Sequence, residues 1–390
     1  MAEHGSDSAT VASARSPRRY GVSARLPDFP WDALAPYAVR AREHADGIVD
    51  LSVGTPVDDS PQVAQRGLAA AADSPGYPQT VGLPETRRAC VDWLARRFGI
   101  DGLDERAVLP VIGSKELIAS LPSHLGVGPG DLVVQPELAY PTYEVGTVLA
   151  GAEPLAADSL TAIGPRTPSM LWLNSPANPT GKVLPAGHLR KVVQWCRERG
   201  TLLVSDECYL EFVWEGTAVS VLDAEVSGGS HEGLLAVHSL SKRSNLAGYR
   251  CAFVAGDPDV VAELLAVRKN LGLQMPGPQQ EAMAAVLADD THVDTQRERY
   301  ARRRARLLTA LEGAGFRVDD SQGALYLWAT RGEDCWETVS RLADLGILVA
   351  PGTFYGPRGH QHVRIAYPAP DERVGAAVGR LGRAGGVFPG

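Results

Sequence analysis

What this 390-residue sequence lacks narrows the field first. It has no excess of positive charge: the formal net charge is −8, and no block of Lys and Arg interrupts the chain. That argues against a surface built to track nucleic-acid phosphates. The arginines at 302–306 alternate with apolar residues at helical spacing and read as a solvated helix face. Cysteine is scarce, with five residues at 90, 196, 208, 251 and 335, no C-x-x-C pair and no Cys/His cluster. A disulfide framework and a structural zinc are therefore not expected, no metal is predicted, and a reducing compartment is. The histidines at 44, 124, 188, 231 and 238 have no ligand spacing either. No apolar run reaches the roughly 20 residues that cross a bilayer. The opening MAEHGSDSATVASARSPRR has no apolar signal core, so residues 1–20 read as a disordered leader on a cytoplasmic protein that binds neither membrane nor nucleic acid.

What is present is an ordinary globular composition, 44% hydrophobic and 22% charged, on a chain too long for one core. Short apolar runs recur between 107 and 256: AVLPVIG, DLVVQP, SMLWLN, TLLVSDE, LLAVHSL and CAFVAG. Runs that are apolar throughout mark strands covered on both faces, and the helical patterns between them, such as KELIASLPSHLG and LRKVVQWCRERG, fit crossover connections. The fold class is α/β: a large domain on a mostly parallel sheet, with a smaller α+β domain. After Pro276 the rhythm changes to a long helical stretch (278–314), then FRVDDS, ALYLWAT, a helix, ILVAPG, HVRIAYP and a last helix. The expected divisions are an arm at 21–47 joining the small domain, a large domain at 48–275 and a small domain at 276–390.

In open α/β sheets ligands gather beyond the carboxyl ends of the strands. There the chain carries Ser114 and Lys115 opening a helix, Tyr140, Asn178 in NSPANPTG, Asp206 and Tyr209 in SDECY, and Ser239, Lys242 and Arg250 in HSLSKRSNLAGYR. Ser114, the amides after it, Ser239 and Arg250 suit a phosphate. Tyr140 would stack on a flat ring, and Asn178 and Tyr209 would bond a phenolic oxygen. Asp206, at the end of an apolar strand, stays ionised only beside a cation. Lys242, near the cationic phosphate ligands, is expected to have a lowered pKa and to attack a carbonyl. Phosphate, protonated ring, phenolate and aldehyde together describe pyridoxal phosphate.

The lysine stretch S-x-S-K-x(n)-G-x-R, with Ser239, Ser241, Lys242, Gly248 and Arg250, resembles that of fold-type I pyridoxal-phosphate aminotransferases of classes I and II. N-P-T-G at 178–181 and D-x-x-Y at 206–209 agree with it. The resemblance implies that Lys242 is the Schiff-base lysine and proton shuttle, Asp206 the partner of the ring nitrogen, and Asn178 and Tyr209 the partners of the ring oxygen. It implies further that Arg364 grips the substrate α-carboxylate, that the Gly54 backbone lies over the substrate, and that Tyr77 reaches the phosphate of a neighbouring subunit in a homodimer with shared sites.

Longer stretches, among them VSARLPDFPWDALAPY, GYPQTVGLPETR and FYGPRG, resemble actinobacterial N-succinyldiaminopimelate aminotransferases. This implies glutamate as amino donor and a succinylated keto acid of lysine and diaminopimelate biosynthesis as acceptor. Arg25, Lys269 and Arg358 are the candidate cations for its distal carboxylates, and Trp31 reads as packing or as part of the entrance. The alternatives are an aminotransferase for another keto acid, a C–S β-lyase using the same cofactor, or a non-catalytic regulator on this fold.

Overall fold

The computed structural model describes residues 21–383; the leader read over 1–20 lies outside the described residues. Seven strands form one sheet, in the spatial order Val108–Val111, Ala252–Gly256, Leu234–Ser239, Leu202–Asp206, Met170–Asn174, Leu132–Gln135 and Glu153–Ala156. Neighbours run parallel except Ala252–Gly256, which is antiparallel to both strands beside it. The interior strands are buried at nearly every position, as their unbroken apolar runs require. On one face Trp93 and Leu94 of helix Pro84–Phe98 pack with Leu189 and Val192 of helix Ala186–Arg199. The other face carries Leu117 and Ile118 of helix Ser114–His124, Tyr143 of helix Thr142–Ala150, and Leu264 of helix Pro258–Leu271.

Glu153–Ala156 corresponds to no apolar run in the sequence. It is an edge strand, half open to solvent, and the edge is where a residue such as Pro154 fits without costing a ladder bond.

A second, antiparallel sheet follows the order Ala350–Pro351, His362–Ala366, Tyr326–Thr330, Arg317–Asp319. The run ILVAPG, read as one strand, is divided: Ile347–Leu348 pairs with Val49–Asp50, and only Ala350–Pro351 joins this sheet. The arm residues Leu34 and Ala38 enter the same core as Val339, Leu342 and Ile365. Arg40 donates to Ser340 at 2.8 Å, and the Tyr37 and Trp336 rings lie 5.4 Å apart.

The long helical stretch is two helices, Gly277–Leu287 and Thr291–Gly313. Between them Asp289 accepts the backbone N–H groups of Thr291 and His292 and breaks the continuity. Within the cluster at 302–306 the reading of a solvated face holds for the exposed Arg302 and Arg306 and is corrected for Arg303 and Arg304. Arg303 is 3% exposed, gives both terminal nitrogens to Asp58 at 2.7 Å, and gives Nε to Asp371 at 2.7 Å. Arg304 pairs with Glu215. These carboxylates lie far away in sequence, so local periodicity carried no sign of them.

Candidate active site

A cavity of 570 Å³ opens at the carboxyl ends of the central strands. Gly54, Ser114, Lys115, Tyr140, Asn178, Asp206, Tyr209, Ser239, Lys242, Arg250 and Arg364 all line it. Tyr77 does not; it is 97% exposed on this chain. Trp31 both lines the cavity and packs against Phe354, so neither of its two readings excludes the other.

The stretch HSLSKRSNLAGYR gathers its functional groups by a sharp change of structure. The strand Leu234–Ser239 ends at the carboxyl edge of the sheet, and Ser239 caps the single turn Leu240–Arg243, its Oγ accepting from the Ser241 N–H at 3.2 Å. A short 3-10 turn, Ala247–Tyr249, then returns the chain to the next strand through Arg250, held left-handed at φ 58°. Ser239, Lys242 and Arg250 thus face one space. Arg250 also meets the turn before helix Ser114–His124: Gly113 has φ 101°, and a Cβ there would run into the Arg250 guanidinium. A guanidinium, two serines and a helix N-terminus form a cradle suited to a dianionic phosphate.

Lys242 sits between this cradle and Arg364. Its amine is lowered to about 8, first by burial, then by the Arg364 guanidinium and more weakly by Arg250. The sequence reading had the direction; the main cause is burial rather than the phosphate-side cations.

Asp206 lies at the end of its strand, 5% exposed. Its Oδ2 accepts from the Tyr143 hydroxyl at 2.7 Å and its Oδ1 from the Cys208 backbone N–H at 3.2 Å. Burial raises its pKa, and no cation among the described residues pairs with it. A buried carboxylate flanked only by neutral donors is suited to a cationic N–H from a bound ring. With the cationic cradle and Asn178, Tyr209 and Tyr140 lining the same cavity, the residues present fit pyridoxal phosphate.

Arg364, on strand His362–Ala366, is 3% exposed yet reaches the cavity. Its Nη1 donates to Asn178 Oδ1 at 2.8 Å and its Nη2 to the Ser52 carbonyl at 2.7 Å, while its Nε is buried without a partner. The guanidinium carbon lies 4.0 Å from the centre of the Tyr326 ring and 4.9 Å from that of Tyr355. Gly54 admits Tyr326 to this corner, since a Cβ at 54 would stand 2.6 Å from the Tyr326 hydroxyl. Arg25, Lys269 and Arg358 do not line this cavity, and Arg358 is engaged by Glu137 and Asp158. Lys115 does line it, its Nζ 5.7 Å from the centre of the Phe29 ring.

Three site residues were not read from the sequence. Tyr143 holds Asp206; Tyr326 shares a 2.7 Å hydrogen bond with Tyr209; Asn174 accepts the Asn178 N–H at 2.7 Å and donates to the Asp206 carbonyl at 2.9 Å. Tyr143 left a usable signal, since it follows Tyr140 by three residues in the short stretch YPTY.

The family model for aminotransferase class I and II matches residues 46–381. A probable aminotransferase of Mycobacterium tuberculosis is 62% identical over 366 residues, 94% of this chain and 88% of that protein. The 4-dedimethylamino-4-oxo-anhydrotetracycline transaminase OxyQ of Streptomyces rimosus is 58% identical over 356 residues, 91% of this chain and 99% of that protein. Among solved structures, a probable N-succinyldiaminopimelate aminotransferase from Thermus thermophilus is 30% identical, with a TM-score of 0.82 over 91% of this chain and 99% of that one.

Proposed function

Because the chain belongs to the aminotransferase class I and II family, whose members use pyridoxal phosphate, we propose that it moves an amino group from glutamate to N-succinyl-2-amino-6-ketopimelate, the keto acid corresponding to N-succinyl-LL-diaminopimelate. When bound, the cofactor supplies the electron sink that lets the α-hydrogen of an amino acid leave as a proton. Lys242 would hold its aldehyde carbon and, once released, its Nζ would take that proton. Asp206 would keep the ring nitrogen protonated, Asn178 and Tyr209 would hold the ring oxygen, and Tyr140 would lie against the ring face. Ser114, the Lys115 amide, Ser239 and Arg250 would hold the phosphate.

The observation that carries the reading is Arg364, buried beside Lys242 and lining the same cavity. Chemistry that keeps the α-carboxylate is favoured by such a residue, which separates transamination from decarboxylation. Gly54 and Asn178 complete the wall against which the substrate would rest. Lys115 is the cation suited to a distal carboxylate. We extend the proposal to a cytoplasmic homodimer in which Tyr77 of each subunit reaches the phosphate held by its partner, and to domains divided at 48–275 and 276–390.

A second reading has its own support: the 58% identity to OxyQ, whose name gives a polycyclic ketone as substrate, and the aromatic mouth formed by Phe29 and Trp31. A substrate panel separates the two. With cofactor-loaded protein, N-succinyl-LL-diaminopimelate should exceed free diaminopimelate, aspartate and an amino-anhydrotetracycline in kcat/KM by about tenfold or more, the scale set by one well-placed polar contact. Conversion of glutamate without conversion of the succinylated compound removes the substrate and leaves the reaction. Preference for the polycyclic amine establishes the second reading.

A further inference from the structure

Tyr326 lines the cavity, yet the reaction as proposed gives it nothing to do. It opens strand Tyr326–Thr330 of the second sheet, whose register with His362–Ala366 sets Trp328 opposite Arg364 and Tyr326 opposite Ala366. Residues two apart on a strand share a face, so Tyr326 and Arg364 are diagonal neighbours on one side of this sheet. The Arg364 guanidinium carbon accordingly lies 4.0 Å from the centre of the Tyr326 ring. The Tyr326 hydroxyl then reaches across to the first sheet, where Tyr209 stands three residues past strand Leu202–Asp206. The two hydroxyls are 2.7 Å apart, and the rings meet edge to face at 5.7 Å between centres. Tyr326 is 3% and Tyr209 7% exposed, so water competes little for this bond.

Its direction decides what the cavity receives, because each phenol has one proton. If Tyr209 donates to Tyr326, its oxygen offers the cavity lone pairs; if it accepts, its own O–H is free for a bound acceptor. Two features favour acceptance. Burial holds the Tyr209 phenol well above its ordinary value, so it keeps a proton to give. The cation over the Tyr326 ring draws electron density from that phenol and makes its O–H the stronger donor of the pair.

We propose that Tyr326 is a positioning residue: its hydroxyl donates to Tyr209 Oη and so commits the single Tyr209 proton to the ring oxygen of the bound cofactor. The inference rests on the reading of Tyr209 as that oxygen's partner and adds the residue that sets the proton's direction. A donor on the ring oxygen stabilises it as an anion, and the neighbouring nitrogen contributed by Lys242 then gives up its proton at a lower pH. Tyr326 thus acts on the cofactor through Tyr209.

The test follows the cofactor absorbance of loaded protein, without substrate, as pH is varied; the band shifts as that nitrogen loses its proton. Tyr326→Phe keeps the ring over Arg364 and beside Gly54 and removes only the hydroxyl. The midpoint is expected to rise by about half a unit to one unit, the scale of one hydrogen bond. Tyr209→Phe should raise it further, and adding Tyr326→Phe to Tyr209→Phe should raise it no more, because the donor has lost its acceptor. A Tyr326→Phe midpoint that stays or falls while that of Tyr209→Phe rises overturns the relay and leaves Tyr209 on the ring oxygen. Shifts that simply add in the double variant make Tyr326 independent of Tyr209 and overturn the relay too. A midpoint that neither substitution raises overturns the reading of Tyr209 and the relay with it.

Discussion

At the scale of single residues, burial acts on both charge types around the sheet ends. It lowers the Lys242 amine to about 8 and raises the carboxyls of Asp206 and, to about 7, Glu207. The neutral amine is the nucleophile, so binding of the cofactor aldehyde to the apoprotein should speed up as pH rises and level off above about 8; stopped-flow absorbance of reconstitution reads this. A rise that continues toward 10.5, the ordinary value for lysine, would mean that burial does not act on this group. Glu207, next to Asp206, is 2% exposed, and its Oε2 lies 3.7 Å from Nε2 of buried His238, which burial lowers to about 3. A carboxyl with its folded pKa raised stabilises the fold fully below its unfolded value of 4.5 and loses that contribution as pH rises through about 7. Glu207→Gln keeps an acceptor for the Val221 N–H and removes the loss. The variant should therefore gain on wild type between pH 5 and pH 8, by up to about 3 kcal/mol. His238 changes stability in the opposite sense over part of this range, so the difference between denaturation midpoints of the two proteins, not the raw profile, carries the test.

Among the elements, the helix Thr291–Gly313 joins parts of the chain that would otherwise only touch. Arg303 ties it to Asp58, four residues beyond Gly54 of the cavity wall, and to Asp371 at the start of the last helix. Arg303→Met leaves Asp58 without its bidentate partner and should destabilise the protein by about 3 kcal/mol or more, seen as a lower midpoint in urea; a loss within experimental scatter would reduce the pair to a surface contact. The same helix marks the limit of what the sequence reveals. Lys242, Ser239 and Arg250 were legible because one short stretch carries them, and the strands were legible because burial on both faces leaves unbroken apolar runs. Glu153–Ala156 was not, because an edge strand needs no such run. Tyr326 was not, because it acts through a partner brought close only by the fold: it meets Tyr209 across 117 positions, as Arg303 meets Asp58 across 245.

For the whole molecule, the proposed assembly makes each site a joint property of two chains. Tyr77, fully exposed on one chain, is to reach the phosphate of the other. Mixing Tyr77→Ala with Lys242→Ala under conditions of subunit exchange should restore about a quarter of the sites, because only hybrid dimers hold one complete set; no recovery while hybrids form would remove Tyr77 from the site. The central claim, that the turn after strand Leu234–Ser239 exists to present one lysine to pyridoxal phosphate, has a more direct test. The chain has only five lysines, Lys115, Lys182, Lys191, Lys242 and Lys269. Borohydride reduction of the cofactor-loaded protein fixes the cofactor to whichever lysine holds it, and peptide mass spectrometry identifies that residue. The account predicts the label on Lys242 alone; a label on any other lysine, or none on protein that binds the cofactor, would contradict it.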